Sequence, residues 1–160
     1  MLITPDDIRK HRPIASNLDD ETRLLMYISE AERLDIMPAI GVELYKDVSE
    51  NPTDHTELLE GGYYDDGKRY FEGLKAAVSL MSYYRFSLNN PVNATPFGMQ
   101  RKNALDSEPV EDKTLFRHVN EAKNVGKAYL QQCIDYINFQ NNSCKPAKNV
   151  NKSKFRIIGQ

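Results

Sequence analysis

The sequence predicts an all-α protein: a small bundle of three to four main helices, with short extra helices and a long loop or hairpin between the last two long ones. Three observations predict it. Apolar residues recur at spacings of three and four over long stretches. The segment Ala76–Asn90 carries helical periodicity and three aromatics, with Arg85 as its single charge. A seven-residue pattern, Leu115, Val119, Ala122, Gly126, Tyr129, Cys133 and Tyr136, then runs through the last long segment. So uncharged a helix as Ala76–Asn90 must be the centre of a bundle or turn part of its surface to another subunit.

The elements follow in order. Thr4-Pro5-Asp6-Asp7 is a helix start: threonine caps, proline suits the first helical position and acids favour the positive end. Pro13 keeps that helix short. Asn17 or Asp19 opens a second helix over about residues 18 to 36, with Leu24, Ile28, Ala31 and Leu34 on its apolar stripe. Pro38 predicts a kink or break near Ile36-Met37. A short helix around Pro38–Ser49 follows, where Gly41 suits close approach of another backbone. Asn51-Pro52 marks a turn, and Thr53 or Asp54 caps a brief helix through Glu57–Glu60 that Gly61-Gly62 ends.

The third main helix is expected from Tyr70 to Leu88, with Leu74, Ala77, Met81, Tyr84 and Leu88 in its stripe. Ala77, Met81 and Tyr84 then face the subunit's own core, and Tyr83 and Phe86 are the expected subunit-contact residues. The connection Asn89–Asp106 holds Pro91, Pro96 and Gly98 and is long for a plain helix link, with a short hairpin or arm near Ala94–Met99. The last helix is expected from Val110 to Phe139, with Ala122 and Gly126 permitting tight packing at its middle. Phe155-Arg156-Ile157-Ile158 suits a small terminal strand or anchor; nothing else reads as sheet.

At 160 residues, the chain is long enough for one domain with its own core. We divide it into a helical domain, residues 1–140, and a basic C-terminal tail, residues 141–160. Formal charge is −2, unevenly spread: residues 1–90 hold ten Lys/Arg against seventeen Asp/Glu, and residues 91–160 hold eleven against six. The tail contributes Lys145, Lys148, Lys152, Lys154 and Arg156 and no acid. It reads either as a solubilising tail or as a contact for nucleic acid or an acidic surface. No zinc finger, RNP-like strand or basic recognition helix accompanies it. No basic region leading into an apolar run opens the sequence, and no stretch approaches eighteen apolar residues, so neither a secretory leader nor a membrane span is expected.

Catalytic and metal chemistry find little footing. Asp65-Asp66, with Asp54 upstream, lacks the calcium-loop pattern and reads as a solvated turn. His11, His55 and His118 are scattered, without partners at zinc-binding spacing. Cys133 and His118 lie fifteen residues apart on one expected helix, roughly 22 Å along its axis, too far for proton transfer within a subunit. Cys133 falls on an apolar face and reads as a buried thiol, and Cys144 as a residue past the helix end. Glu30, Glu32 and Glu121 lack the Glu-x-x-His partner of a bundle metal site and read as surface charges. The glycines at 61, 62 and 67 form no phosphate loop. The expectation is a non-enzyme with no metal or cofactor. Nine tyrosines and six phenylalanines suit either interior packing or a protein interface.

Several segments carry a resemblance: Leu2–Ile8, Tyr27–Glu32, Ile36–Tyr45, Thr95–Lys102, and the last helix with Ala128-Tyr129-Leu130 and Asp135-Tyr136-Ile137. In order and spacing, over most of residues 2–140, they resemble the head–tail connector, head-completion or portal-adaptor proteins of tailed phages. The form encoded by phages and prophages of Bacteroides-type bacteria is the most similar. The tail departs, ending Phe155–Gln160 after a basic run where that family often ends in an aromatic or proline-containing segment.

The resemblance implies a virion structural protein, assembled in the bacterial host cytoplasm. It implies a homo-oligomeric ring, often twelvefold, joining the portal to a tail or second connector protein and letting DNA pass. It makes Pro91–Lys102 the docking loop, with Pro91, Thr95, Pro96, Phe97, Gly98, Met99, Arg101 and Lys102 as its contact residues. Arg101 and Lys102 then stand ready for DNA phosphates or acidic portal residues, contacts without sequence readout. The rival is a nucleic-acid-binding helical module acting through the basic tail.

Overall fold

The computed structural model describes residues 1–12, 14, 21–89, 92–95, 98–101 and 112–143, the two strands after residue 91 by their backbone. Seven α-helices, one π-helical segment and two β-hairpins make up this part of the chain. The protein is therefore mostly helical but not a pure bundle of three or four helices.

Helix α1 (Pro5–His11) begins as its sequence dictates: Thr4 is the N-cap, and its backbone N–H and hydroxyl both donate to Asp7 Oδ2 at 2.9 Å. Helix α2 (Glu21–Ala31) buries Leu24, Ile28 and Ala31 completely. The expected stripe then fails at Leu34, which is 62% exposed. The reason is a π-helical segment, Glu32–Ile36, closed by the Met37 N–H donating to the Glu32 carbonyl five residues back. The wider turn delays the next inward position, so Ile36 enters the core and Leu34 points out. The irregularity expected near Pro38 is thus a π segment just before it, and the chain continues into α3 (Met37–Ile40). The break comes at Gly41, at φ 89° and ψ 147°, before α4 (Val42–Glu50). Nothing lies within 4 Å of where a Gly41 side chain would be, so backbone conformation, not close approach, accounts for that glycine.

Helix α5 (Thr56–Glu60) follows a turn and ends at Gly61. Neither Thr53 nor Asp54 caps it: His55 holds the N-cap position, and the Thr56 hydroxyl donates to the Thr53 carbonyl. The next residues correct the sequence reading most. Strands β1 (Gly62–Tyr64) and β2 (Arg69–Phe71) form an antiparallel hairpin, so Tyr70 lies in a strand and not in a helix. Asp65, Asp66 and Gly67 turn the chain with φ of 55°, 54° and 79°.

Helix α6 (Leu74–Asn89) is the centre of the molecule, packed by α1, α2, α5 and the long α7 (Asp112–Ser143). Residues Ala76 through Ser82 are all buried, which explains the scarcity of charge in this stretch. The single charge after Lys75, Arg85, donates from Nε and Nη2 to Asp35 Oδ2 at 3.1 and 2.8 Å, with Glu30 3.9 Å away. Against α6 lies the seven-residue stripe of α7, with Val119, Ala122, Cys133 and Tyr136 buried. Gly126 lets the helices meet: a Cβ there would stand 3.1 Å from Leu80 Cβ and 3.4 Å from Met81 N. Between α6 and α7, β3 (Val92–Thr95) and β4 (Gly98–Arg101) pair antiparallel, Val92 opposite Arg101 and Thr95 opposite Gly98.

Candidate functional site

Among the described residues, no three or more His, Cys, Asp or Glu are grouped to hold a metal ion. Cys133 is buried, and burial pushes its thiol up to about 12. His118 is exposed on the same helix. Three surface features stand out among the described residues.

The first is the β1–β2 hairpin. Strand alternation sends Tyr64 and Phe71 inward and Tyr63 and Tyr70 outward. The inward pair is gripped by α7: Phe71 stacks on Tyr136 at 4.3 Å between centroids, and Tyr64 meets Tyr136 and Phe139 edge-on at 5.3 Å each. Tyr136 also donates to Glu57 at 2.8 Å, and burial together with that carboxylate raises its phenol above the ordinary value. The outward pair sits 5.0 Å apart, Tyr63 at 77% and Tyr70 at 48% exposure. Two facing aromatic rings thus form an exposed patch on the hairpin, of the residue type that protein interfaces favour. The sequence signal for it was present: Tyr-Tyr before Asp-Asp-Gly and Tyr-Phe after it, in period-two alternation.

The second is the β3–β4 hairpin, which falls in the expected docking segment. It is extensively paired only with itself among the described residues. Thr95, Gly98, Met99 and Arg101 lie on its strands. Pro91, Pro96, Phe97 and Lys102 fall outside the described residues, as do Cys144 and the tail cations Lys145, Lys148, Lys152, Lys154 and Arg156.

The third is a groove of about 510 Å3 where the start of α4 and the face of α5 meet the C-terminal end of α7. Ile40, Leu44 and Ile137 line it half-buried, and Val42 stands 60% exposed at its edge. Its polar wall is fixed by Gln140 donating to Tyr136 Oη at 2.9 Å.

The two residues expected at a subunit contact are placed differently. Phe86 is only 5% exposed and meets Tyr27 edge-on at 6.2 Å, so its ring is consumed within the subunit. Tyr83 is half-buried against the same core. Tyr84, expected in the core, is half-exposed under the Lys123 ammonium at 4.8 Å. Glu32, expected at the surface, is buried. It accepts from the Leu2 N–H at 2.5 Å and the Tyr45 hydroxyl at 2.8 Å. Glu121 is on the surface, paired with Arg12 at 2.7 Å.

A family model described as a family of unknown function (DUF6712) matches residues 36–151. The chain belongs to that family. The matched span of DUF6712 takes in α4 through α7, and so both hairpins and the groove. Neither a curated protein nor a solved structure matches the chain significantly. No helix among the described residues is long and apolar enough to cross a membrane.

Proposed function

We propose that this protein is a structural, non-enzymatic virion component: a subunit of a ring that joins a phage portal to its tail and leaves a passage for DNA. The observation that carries the reading is the β3–β4 hairpin, a self-paired arm between the two longest helices. It occupies the segment that the resemblance to head–tail connectors makes the docking element. The Tyr63–Tyr70 pair supports it as an aromatic surface that stays exposed among the described residues. Ring closure needs two different faces of each subunit, and the acidic first part and basic last part of the chain suit such a heterologous contact.

Light scattering of the purified full chain, alone and with portal protein, tests this. The expected result is a multiple of the subunit mass, or a stable complex with the portal. Changing both Tyr63 and Tyr70 to Ser should weaken that association about tenfold, as for aromatic anchors elsewhere, with helical circular dichroism unchanged. A strict monomer that ignores the portal sinks the proposal. Salt-dependent DNA binding by that monomer would favour the nucleic-acid module instead.

A further inference from the structure

We propose that the groove between α4, α5 and the end of α7 is the docking site for the chain's own C-terminal segment, Phe155–Ile158. Three observations carry it. The groove is apolar and unfilled among the described residues: Ile40, Leu44, Leu58 and Ile137 line it, and Val42 is 60% exposed at its edge. An aliphatic residue so placed on an ordered helix start gains by being covered.

The charge around the groove selects the partner. Residues 41–60 hold six acids (Glu43, Asp47, Glu50, Asp54, Glu57 and Glu60) against Lys46 and His55. Of these, Glu43 lines the groove. The segment from Lys145 to Gln160 holds five cations and no acid, and Phe155, Ile157 and Ile158 among them. Apolar anchors spaced by cations match an apolar floor with the Glu43 carboxylate in its wall and the Asp47 and Glu57 carboxylates bonded to its lining residues His55 and Tyr136.

Connectivity makes this chain's own segment the occupant. Helix α7 ends at Ser143, two residues beyond Asn141, which lines the groove. The twelve residues from Ser143 to Phe155 reach about 40 Å at full extension, ample for a return to a site beside their origin. Tethering at that length gives an effective concentration in the millimolar range, above that of any second copy in dilute solution. The docked segment would cover the hydrophobic rim of α4 until assembly offers it another surface.

The test is site-specific photo-crosslinking of the full chain with benzoylphenylalanine at position 155, at low micromolar concentration. Linked peptides are mapped by mass spectrometry in the monomer band. The expected result is links to residues 40–44 and 137–141. Two variants, Val42→Lys with Glu43→Lys, and Lys152→Glu with Lys154→Glu and Arg156→Glu, should each cut that yield about tenfold. Both change exposed or tail positions, and circular dichroism checks the fold. Links scattered over the surface would overturn the proposal. So would groove links found only in the dimer band, or a yield that neither variant lowers.

Discussion

Gly61 and Gly73 lie backbone against backbone at the mouth of the β1–β2 hairpin: a Cβ on either would stand 2.5 Å from the nitrogen of the other. Gly61 has φ 78° and ψ −174°, a region that is essentially glycine's alone, and Gly73 has φ 84°. The contact closes the loop that carries Tyr63 and Tyr70 and passes the chain straight into α6.

Gly61→Ala and Gly73→Ala are therefore each expected to cost about 3–5 kcal/mol, since backbone strain and overpacking act together. Gly41→Ala has the strain without the clash and should cost about 1–3 kcal/mol. Urea unfolding followed by circular dichroism gives the three values. Equal costs at positions 41 and 61 would show that the close approach contributes nothing.

The helices that position these surfaces were legible because their stripes obey one period: Leu24, Ile28 and Ala31 in α2, and Val119, Ala122, Cys133 and Tyr136 in α7, are buried as the spacing predicts. The reading slipped at Leu34, because no spacing rule announces a π turn that postpones the inward position to Ile36. The first hairpin was missed because its strands are three residues each, too short to stand out beside a sixteen-residue helix. The turn at Asp65-Asp66-Gly67 was nonetheless visible. Phe86 was misplaced for a different reason. Periodicity tells which residues share a face, but not that α2 would cover that face with Tyr27. The Glu32 partners lie 30 and 13 residues away, so no local pattern encodes its burial.

The Glu32 carboxylate ties the N-terminal residues and α4 to the π segment through the Leu2 N–H and the Tyr45 hydroxyl. Tyr45→Phe removes one charge-assisted bond and is expected to cost about 1.5–3 kcal/mol. Glu32→Ala orphans both donors and should cost more. The double variant should cost little beyond Glu32→Ala alone, because both changes break one network. Strict additivity in urea unfolding would mean that the two residues stabilise the fold separately.

Burial of Cys133 sets how the protein responds to alkali. Its thiol is pushed from 9.0 up to about 12 by desolvation. Folding thus favours the protonated form, and the associated stability is complete below pH 9.0, then lost as pH rises through about 12. Burial raises the Tyr45 and Tyr136 phenols as well, with Glu32 and Glu57 adding to it, so the same sign applies to both above their ordinary value of 10.0. Stability should therefore fall between pH 9 and 12. Cys133→Ala should lower stability near neutrality by about 1–2 kcal/mol through the small cavity left behind, while making the alkaline decline shallower. Unfolding midpoints at pH about 7 and about 10.5 separate the two effects. In a Cys144→Ser background, a thiol reagent should reach Cys133 only as the chain unfolds. Rapid labelling of the native protein, or parallel pH slopes for the two forms, would contradict a buried thiol at the α6–α7 contact.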